Sequence, residues 1–159
     1  MRILVTGYTG QLGYDVVQQG LQLGLDMVGI GSKDLDITNK DAVYHYIKKV
    51  KSDAIIHCAV FTAVDKAEDD KDACHHVNVD GTKNLGEVAE EINAKFMYIS
   101  TDYVFNGEGK TPFKATDEPS PNGYYGRTKL EGEKVVKQLL EKWFSTYFMG
   151  VWYKWKQFC

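Results

Sequence analysis

Short apolar runs alternate with longer stretches of helical periodicity over the first hundred residues. Arg2-Ile-Leu-Val-Thr6 has the continuous apolar character of a strand buried on both faces. A glycine turn and a helix through about Leu23 follow, then a second strand over Asp26–Ile30. Thr38 is placed to cap a helix over Asn39–Lys49, whose inward face carries Ala42, Val43, Tyr46, Ile47 and Val50. Ala54–Ala59 reads as a third strand. A helix turning Val77, Leu85, Val88, Ala89 and Ile92 inward then leads to a fourth strand at Lys95–Ser100. All three prolines fall in a long connection from Asn106 to Asn122, a length often associated with function. A last helix covers about Tyr124–Lys142. Apolar strands alternating with helices predict an α/β fold, a Rossmann-like doubly wound parallel sheet covered on both faces.

Composition narrows this picture. A chain of 159 residues, 43% hydrophobic and 26% charged, fits one domain with a substantial core. A net charge of -3 with scattered lysines argues against nucleic-acid or anionic-membrane binding. The apolar run after Met1-Arg2 is too short for a signal-peptide core or a membrane span, which predicts a cytoplasmic location. Cys58 and Cys74 read as reduced thiols. Cys74 beside His75-His76 lacks partners at metal-ligand spacing, so no metal is expected.

The first candidate chemistry is Gly7-Tyr-Thr-Gly10-Gln11-Leu12-Gly13, where strand one turns into helix one. Glycines there allow a tight turn, backbone approach to a pyrophosphate and close helix–strand packing. The helix N-terminus offers free N–H groups to the phosphates. After the second strand, Ser32 and Lys33 lean toward the 2′-phosphate of NADPH. Asp34 suits the free ribose of NADH, so both cofactors stay open.

The second candidate is Tyr125-Gly-Arg-Thr-Lys129, a phenol and an ammonium one helical turn apart. A nearby cation stabilises a phenolate, and an activated tyrosine exchanges a proton with a carbonyl or alcohol oxygen. Ten tyrosines make a chance match easy, and Tyr44-His-Tyr-Ile-Lys48 is a second instance of the spacing. The company of the glycine turn separates the two.

With Ser100-Thr101-Asp102 ending the fourth strand, these segments together resemble the extended short-chain dehydrogenase/reductases. More narrowly they are similar to the dTDP-4-dehydrorhamnose reductases. The resemblance rests on Val5–Gly13, Leu35-Asp-Ile-Thr38, Thr62-Ala-Val-Asp-Lys-Ala-Glu68, Ser100-Thr-Asp-Tyr-Val-Phe105 and Tyr125-Gly-Arg-Thr-Lys-Leu-Glu-Gly-Glu133. It runs from residue 1 to about 144. It implies reduction of the C4 ketone of a dTDP-hexose by NADPH or NADH, with Tyr125 as proton donor. Lys129 would lower the Tyr125 pKa and bind the nicotinamide ribose. Thr101 would hold the substrate carbonyl, and Asp102 would lie close to the sugar. The resemblance also implies that Asp36 and Ile37 line the adenine pocket, and that Ala59, Val60, Phe61 and Thr62 run along the nicotinamide. Phe61 departs from the histidine usual there. Some of the family dimerise, which implies a homodimer for the full-length protein. Nucleotide-sugar dehydratases of this fold carry an acid where Tyr103 stands, which disfavours dehydration, while another nucleotide-sugar epimerase or reductase stays an alternative. The non-catalytic regulatory subunit of methionine adenosyltransferase also resembles this family, but retention of Thr101, Tyr125 and Lys129 favours an enzyme.

After Phe144 the sequence changes character, with Trp152 and Trp155 in a tail unlike the family's. Read one nucleotide later, Met149–Gly150 forces a tryptophan, and Trp152–Tyr153 and Trp155–Lys156 each force a glycine. The remaining degenerate codons permit the family's continuation. The expectation is that 1–144 is the NAD(P)-binding half with the catalytic Thr/Tyr/Lys. The tail, 145–159, is expected to be out of frame. Most of the sugar-nucleotide domain would then be missing and turnover by this chain would be slight. Sequencing the gene past codon 144 is expected to reveal the family's sequence in the shifted frame, and its absence would refute this expectation.

Overall fold

The computed structural model describes residues 1–108, 113–114 and 116–139, together with the backbone of 146–148. Five parallel strands form one sheet in the order β2-β1-β3-β4-β5: β1 Arg2–Thr6, β2 Asp26–Ile30, β3 Ala54–His57, β4 Lys95–Ser100 and β5 Thr146–Phe148. The described helices are α1 Gln11–Gln22, α2 Lys40–Val50, α3 Lys66–Asp69, α4 Lys71–His75, α5 Thr82–Glu91 and α6 Tyr124–Leu139. A π-helical turn at His76–Gly81 joins α4 to α5, and a 3-10 turn at Asp102–Val104 follows β4. Among the described residues, no helix is long and apolar enough to cross a membrane.

Strand periodicity sorts the core into two layers. Leu4, Ile55, Phe96 and Tyr98 face α2, α5 and α6, where Val43, Ile47, Leu85, Val88 and Val136 close over them. Ile3, Val5, Ala54, Ile56 and Met97 face the opposite side and meet Val16 and Val17 of α1. Adjacent strand residues point to opposite faces, so unbroken apolar runs are what a sheet covered twice requires. The chain leaves β1 for β2 on one side and then crosses to β3 on the other. The strand order therefore reverses between β1 and β3, which is where sheets of this kind bind ligands.

Local boundaries moved where side-chain chemistry overrode periodicity. Asn39, not Thr38, caps α2, its side-chain oxygen accepting from the Ala42 N–H at 3.0 Å. Thr38 instead donates to Asp36 at 2.8 Å in a tight turn. β3 ends at His57 rather than Ala59 because the chain turns away along Gly7. The helix inferred around Val77 to Ile92 carries a π-helical turn in its first part, which sequence periodicity did not reveal. The expected end of the last helix, at Lys142, and most of the tail lie outside the described residues.

Ile55 is fully buried between the helices and the sheet. Ile55→Ala is expected to lower the unfolding free energy by about 3 kcal/mol, measured by urea denaturation. Leu23→Ala, at an exposed position, is expected to change it by less than about 0.5 kcal/mol.

Candidate active site

The glycine turn sits at the strand-order reversal. Gly7 has φ +70°, and a Cβ there would lie 2.6 Å from the Ala59 amide nitrogen and 2.7 Å from the Cys58 carbonyl. A side chain at Gly13 would collide with the Gly7 carbonyl, so the start of α1 lies directly on the turn. The Gly10 amide donates to the Gly7 carbonyl at 3.0 Å. Gly10 is the N-cap and supplies no side-chain acceptor. The amides of Gln11, Leu12 and Gly13 thus open α1 without a side-chain cap, the arrangement that receives an anion. The close backbone approach and the uncapped helix fit a dinucleotide pyrophosphate.

Past β2, Gly31 donates its N–H to the Asp34 carboxylate at 2.8 Å, which leaves Ser32 and Lys33 exposed on the turn. Asp36 is exposed and accepts from Thr38, whereas Ile37 is turned into the core against Gly81. Of the pair expected along the adenine, Asp36 is thus the exposed member and Ile37 the one buried with the sheet. Asn84 pins this loop by donating to the carbonyls of Ile37 and Thr38, at 3.0 and 3.2 Å.

Tyr125 and Lys129 lie one turn apart on α6, and both are buried. Gly126 permits this, since a side chain there would strike the Tyr103 carbonyl of the 3-10 turn. The Tyr103 ring stands edge-on to Tyr125 at 5.6 Å, and the Thr101 hydroxyl hydrogen-bonds the Tyr125 phenol. The single Thr101 proton can go either to that phenol or to Asp102, 3.1 Å away, and Asp102 itself is exposed. The Ala59–Thr62 loop borders this group. Val60 and Phe61 pack with Ala67, Cys74 and Tyr125, while Thr62 is exposed. Phe61 thus makes an apolar contact where the family's histidine would be polar. Tyr44 and Lys48, with the same spacing, form an exposed cation–π pair with Glu91 beside them.

The electrostatics differ from the expected pairing. Burial raises the Tyr125 pKa above the usual phenol value, and the Thr101 hydrogen bond only partly offsets it. Burial likewise holds Lys129 at about 7, against pulls from Glu133, Cys58 and Cys74. The Lys129 Nζ donates to the Ile99 carbonyl at 2.7 Å and lies 4.1 Å from the Tyr98 ring centroid. Lys129 is therefore committed to β4 in this form, and its expected lowering of the Tyr125 pKa is not what the geometry shows. The charge of Lys129 reaches Cys58, which abuts Gly7, so α6 and the glycine turn face the same strand ends.

Two residues escaped the sequence reading. Asn78, in the π-helical turn, accepts from the Phe61 N–H at 2.8 Å and donates to Thr128 at 3.0 Å, bridging the loop to α6. His57 is fully buried, and burial lowers its pKa to about 3, so its ring is neutral. Thr82 donates to the Asn78 carbonyl at 2.7 Å, and its oxygen therefore accepts from the His57 Nε2–H at 3.0 Å. The His57 Nδ1 then accepts from Thr6 at 2.8 Å, and the Thr6 oxygen accepts from the Ala59 N–H at 3.2 Å. The signal available in sequence was Asn78 and Thr82, polar residues four apart on an otherwise apolar helical face.

Strand order, glycine turn and helix placement define the class, a Rossmann-like dinucleotide fold. Residues 1–151 match the RmlD substrate binding domain family, and the chain belongs to it. A dTDP-4-dehydrorhamnose reductase of Mycolicibacterium smegmatis is 40% identical over 136 residues, covering 85% of this chain and 41% of that protein. The beta subunit of methionine adenosyltransferase 2 of Bos taurus is 39% identical over 142 residues, covering 85% of this chain and 42% of that protein. The crystal structure of a dTDP-4-dehydrorhamnose reductase of Bacillus anthracis in complex with NADP superposes with a TM-score of 0.87 at 34% identity. It covers 92% of this chain and 53% of that one. The chain thus spans about half the length of the proteins it resembles.

The Lys129 ammonium supplies a pH test. Its ordinary pKa of 10.5 falls to about 7 on folding, so between these values the unfolded chain holds a proton the folded chain lacks. Stability should therefore rise with pH through that window. Lys129→Met is expected to flatten the rise between about pH 7 and 9 in urea melts, by a few kcal/mol at most. An undiminished slope would contradict the assignment.

Proposed function

We propose that this chain is the cofactor-binding, proton-donating half of an NAD(P)H-dependent reductase acting on the C4 ketone of dTDP-4-dehydro-L-rhamnose. The observation that carries the reading is the buried Thr101–Tyr125–Lys129 group, held over the strand ends that also bear the glycine turn. A bound nicotinamide supplies the hydride. The chain's own residues orient and protonate. The amides opening α1 hold the pyrophosphate, and the Ala59–Thr62 loop, fixed by Asn78, flanks the nicotinamide. Thr101 donates to the carbonyl oxygen. Tyr125, kept protonated at neutral pH by burial, delivers its proton to that oxygen as charge develops on it. On cofactor binding Lys129 would turn from the Ile99 carbonyl toward the nicotinamide ribose.

Asp34 accepts from its own turn, while Ser32 and Lys33 stand exposed. This favours NADPH over NADH, because the basic residue is free to meet a 2′-phosphate. The non-catalytic reading, suggested by the methionine adenosyltransferase subunit, has no feature of this site in its favour, since the proton-donating group is intact. A cytoplasmic location and a homodimer of the complete protein belong to the same reading.

The test is NADPH oxidation in the presence of the dTDP-4-keto sugar, followed spectrophotometrically on the full-length protein. Tyr125→Phe is expected to lower kcat by about 100-fold or more with NADPH affinity retained. Turnover unchanged by Tyr125→Phe would exclude this proton donor. Lys33→Ala is expected to weaken NADPH binding about tenfold, equivalent to ~1.4 kcal/mol, while leaving NADH binding unchanged in fluorescence titrations. Equal losses for both cofactors would remove Lys33 from 2′-phosphate recognition.

A further inference from the structure

Three consecutive residues of β4 are each bonded to α6. The Tyr98 hydroxyl donates to the Lys129 carbonyl at 3.2 Å, the Ile99 carbonyl accepts from the Lys129 Nζ at 2.7 Å, and the Ser100 hydroxyl donates to the Glu133 carboxylate. The seam stops one residue before Thr101. It is also close, because a side chain at Gly132 would collide with the Tyr98 hydroxyl and press on the Asn78 carbonyl. Of the helix side chains in this seam, Lys129 already has a part in the proposed chemistry and Glu133 has none.

We propose that Glu133 is a positioning residue of the active site. By holding Ser100, one turn beyond Lys129 on α6, it sets the register of α6 on the end of β4 and hence the placement of Thr101 against Tyr125. The role of that site rests on the reductase reading, whereas the seam does not.

The surroundings of Lys129 support the assignment. The groups facing its ammonium are Glu133 from α6, Cys58 after β3, Cys74 from α4, His57 from β3 and Tyr98 from β4. Burial keeps both thiols and the Tyr98 phenol protonated, and keeps His57 neutral. Glu133 is thus the one among these groups that brings a carboxyl to the ammonium. It is also the strongest of the influences opposing deprotonation of Lys129 by burial. A carboxylate tied to Ser100 can therefore hold both the strand end and the ammonium in one geometry.

The experiment is an NMR titration of the 159-residue chain with isotope-labelled lysine side chains, Lys129 being assigned from Lys129→Met. In Glu133→Gln, which keeps a hydrogen-bond acceptor for Ser100, the Lys129 midpoint is expected to fall by about one pH unit. The backbone amides of Ile99 to Asp102 should shift with it. Glu133→Asp is expected to restore most of the midpoint but not the amide positions, since its shorter side chain draws away from Ser100. An unmoved midpoint in a Glu133→Gln chain that still melts cooperatively overturns the proposal. Should the variants fail to fold, the unmodified chain decides it. In a second sample labelled at the glutamate side chains, the Glu133 carboxyl resonance is expected to step at the Lys129 midpoint, and no step overturns the coupling. NADPH is titrated separately into the unmodified chain. Failure to bind there would remove the reductase reading while the Glu133–Lys129 coupling, if measured, still stands.

Discussion

An ammonium sealed from water must find its partners within the fold. Desolvating a charge costs several kcal/mol unless nearby groups compensate. At 4% exposure, Lys129 has the Ile99 carbonyl, the face of the Tyr98 ring and the attraction of Glu133. All of these belong to the end of β4 or to α6. The helix can satisfy the ammonium only in a register that also brings Tyr98 to the Lys129 carbonyl and Ser100 to Glu133. Gly126 and Gly132 remove the side chains that would otherwise hold helix and strand apart. Tyr125 and Thr101 meet as a consequence of that seating.

A second set of buried polar groups ties this seam to the glycine turn. Thr6, His57 and Thr82 form a chain of hydrogen bonds from the end of β1 to the π-helical turn, where Asn78 continues it to the Phe61 loop and to Thr128 on α6. Every link has a defined donor, which makes His57 a neutral tautomer protonated at Nε2. Fully satisfied networks of this kind specify a unique arrangement, since any one lost partner leaves a buried polar group unpaired. The π-helical turn has a role here. It carries Asn78, and Thr82 follows directly after it, four residues on and bonded to the Asn78 carbonyl; such turns often occur at functional sites.

The chain's relatives include both a dTDP-4-dehydrorhamnose reductase and a beta subunit of methionine adenosyltransferase 2, so likeness alone assigns no chemistry. Chemistry is argued from the particular group at the strand ends. Burial gives that group its character by keeping Tyr125 protonated and bringing Lys129 within reach of neutral pH. Both shifts favour the neutral forms, as desolvation requires. The site is therefore a reservoir of a single phenolic proton rather than a preformed phenolate.

Periodicity was sufficient for the sheet. β1, β2 and β4 lie where apolar runs placed them, and Val43 and Ile47 are the buried face of α2. The glycine turn and the Tyr125–Lys129 spacing were equally visible, because each is a local pattern whose meaning depends on a few adjacent residues. The accompanying motifs already singled out Tyr125–Lys129 over Tyr44–Lys48, and the fold added that the first pair is buried and the second exposed. The partners of Lys129, the inward turn of Ile37 and the bridging by Asn78 were likewise decided by contacts between residues far apart in the chain. Sequence alone determined which elements form and where the dinucleotide turn lies, because hydrogen-bond geometry and side-chain period act over a few residues. Tertiary structure alone decided the charge states and the hydrogen-bond partners, because desolvation depends on what the whole chain packs around each group.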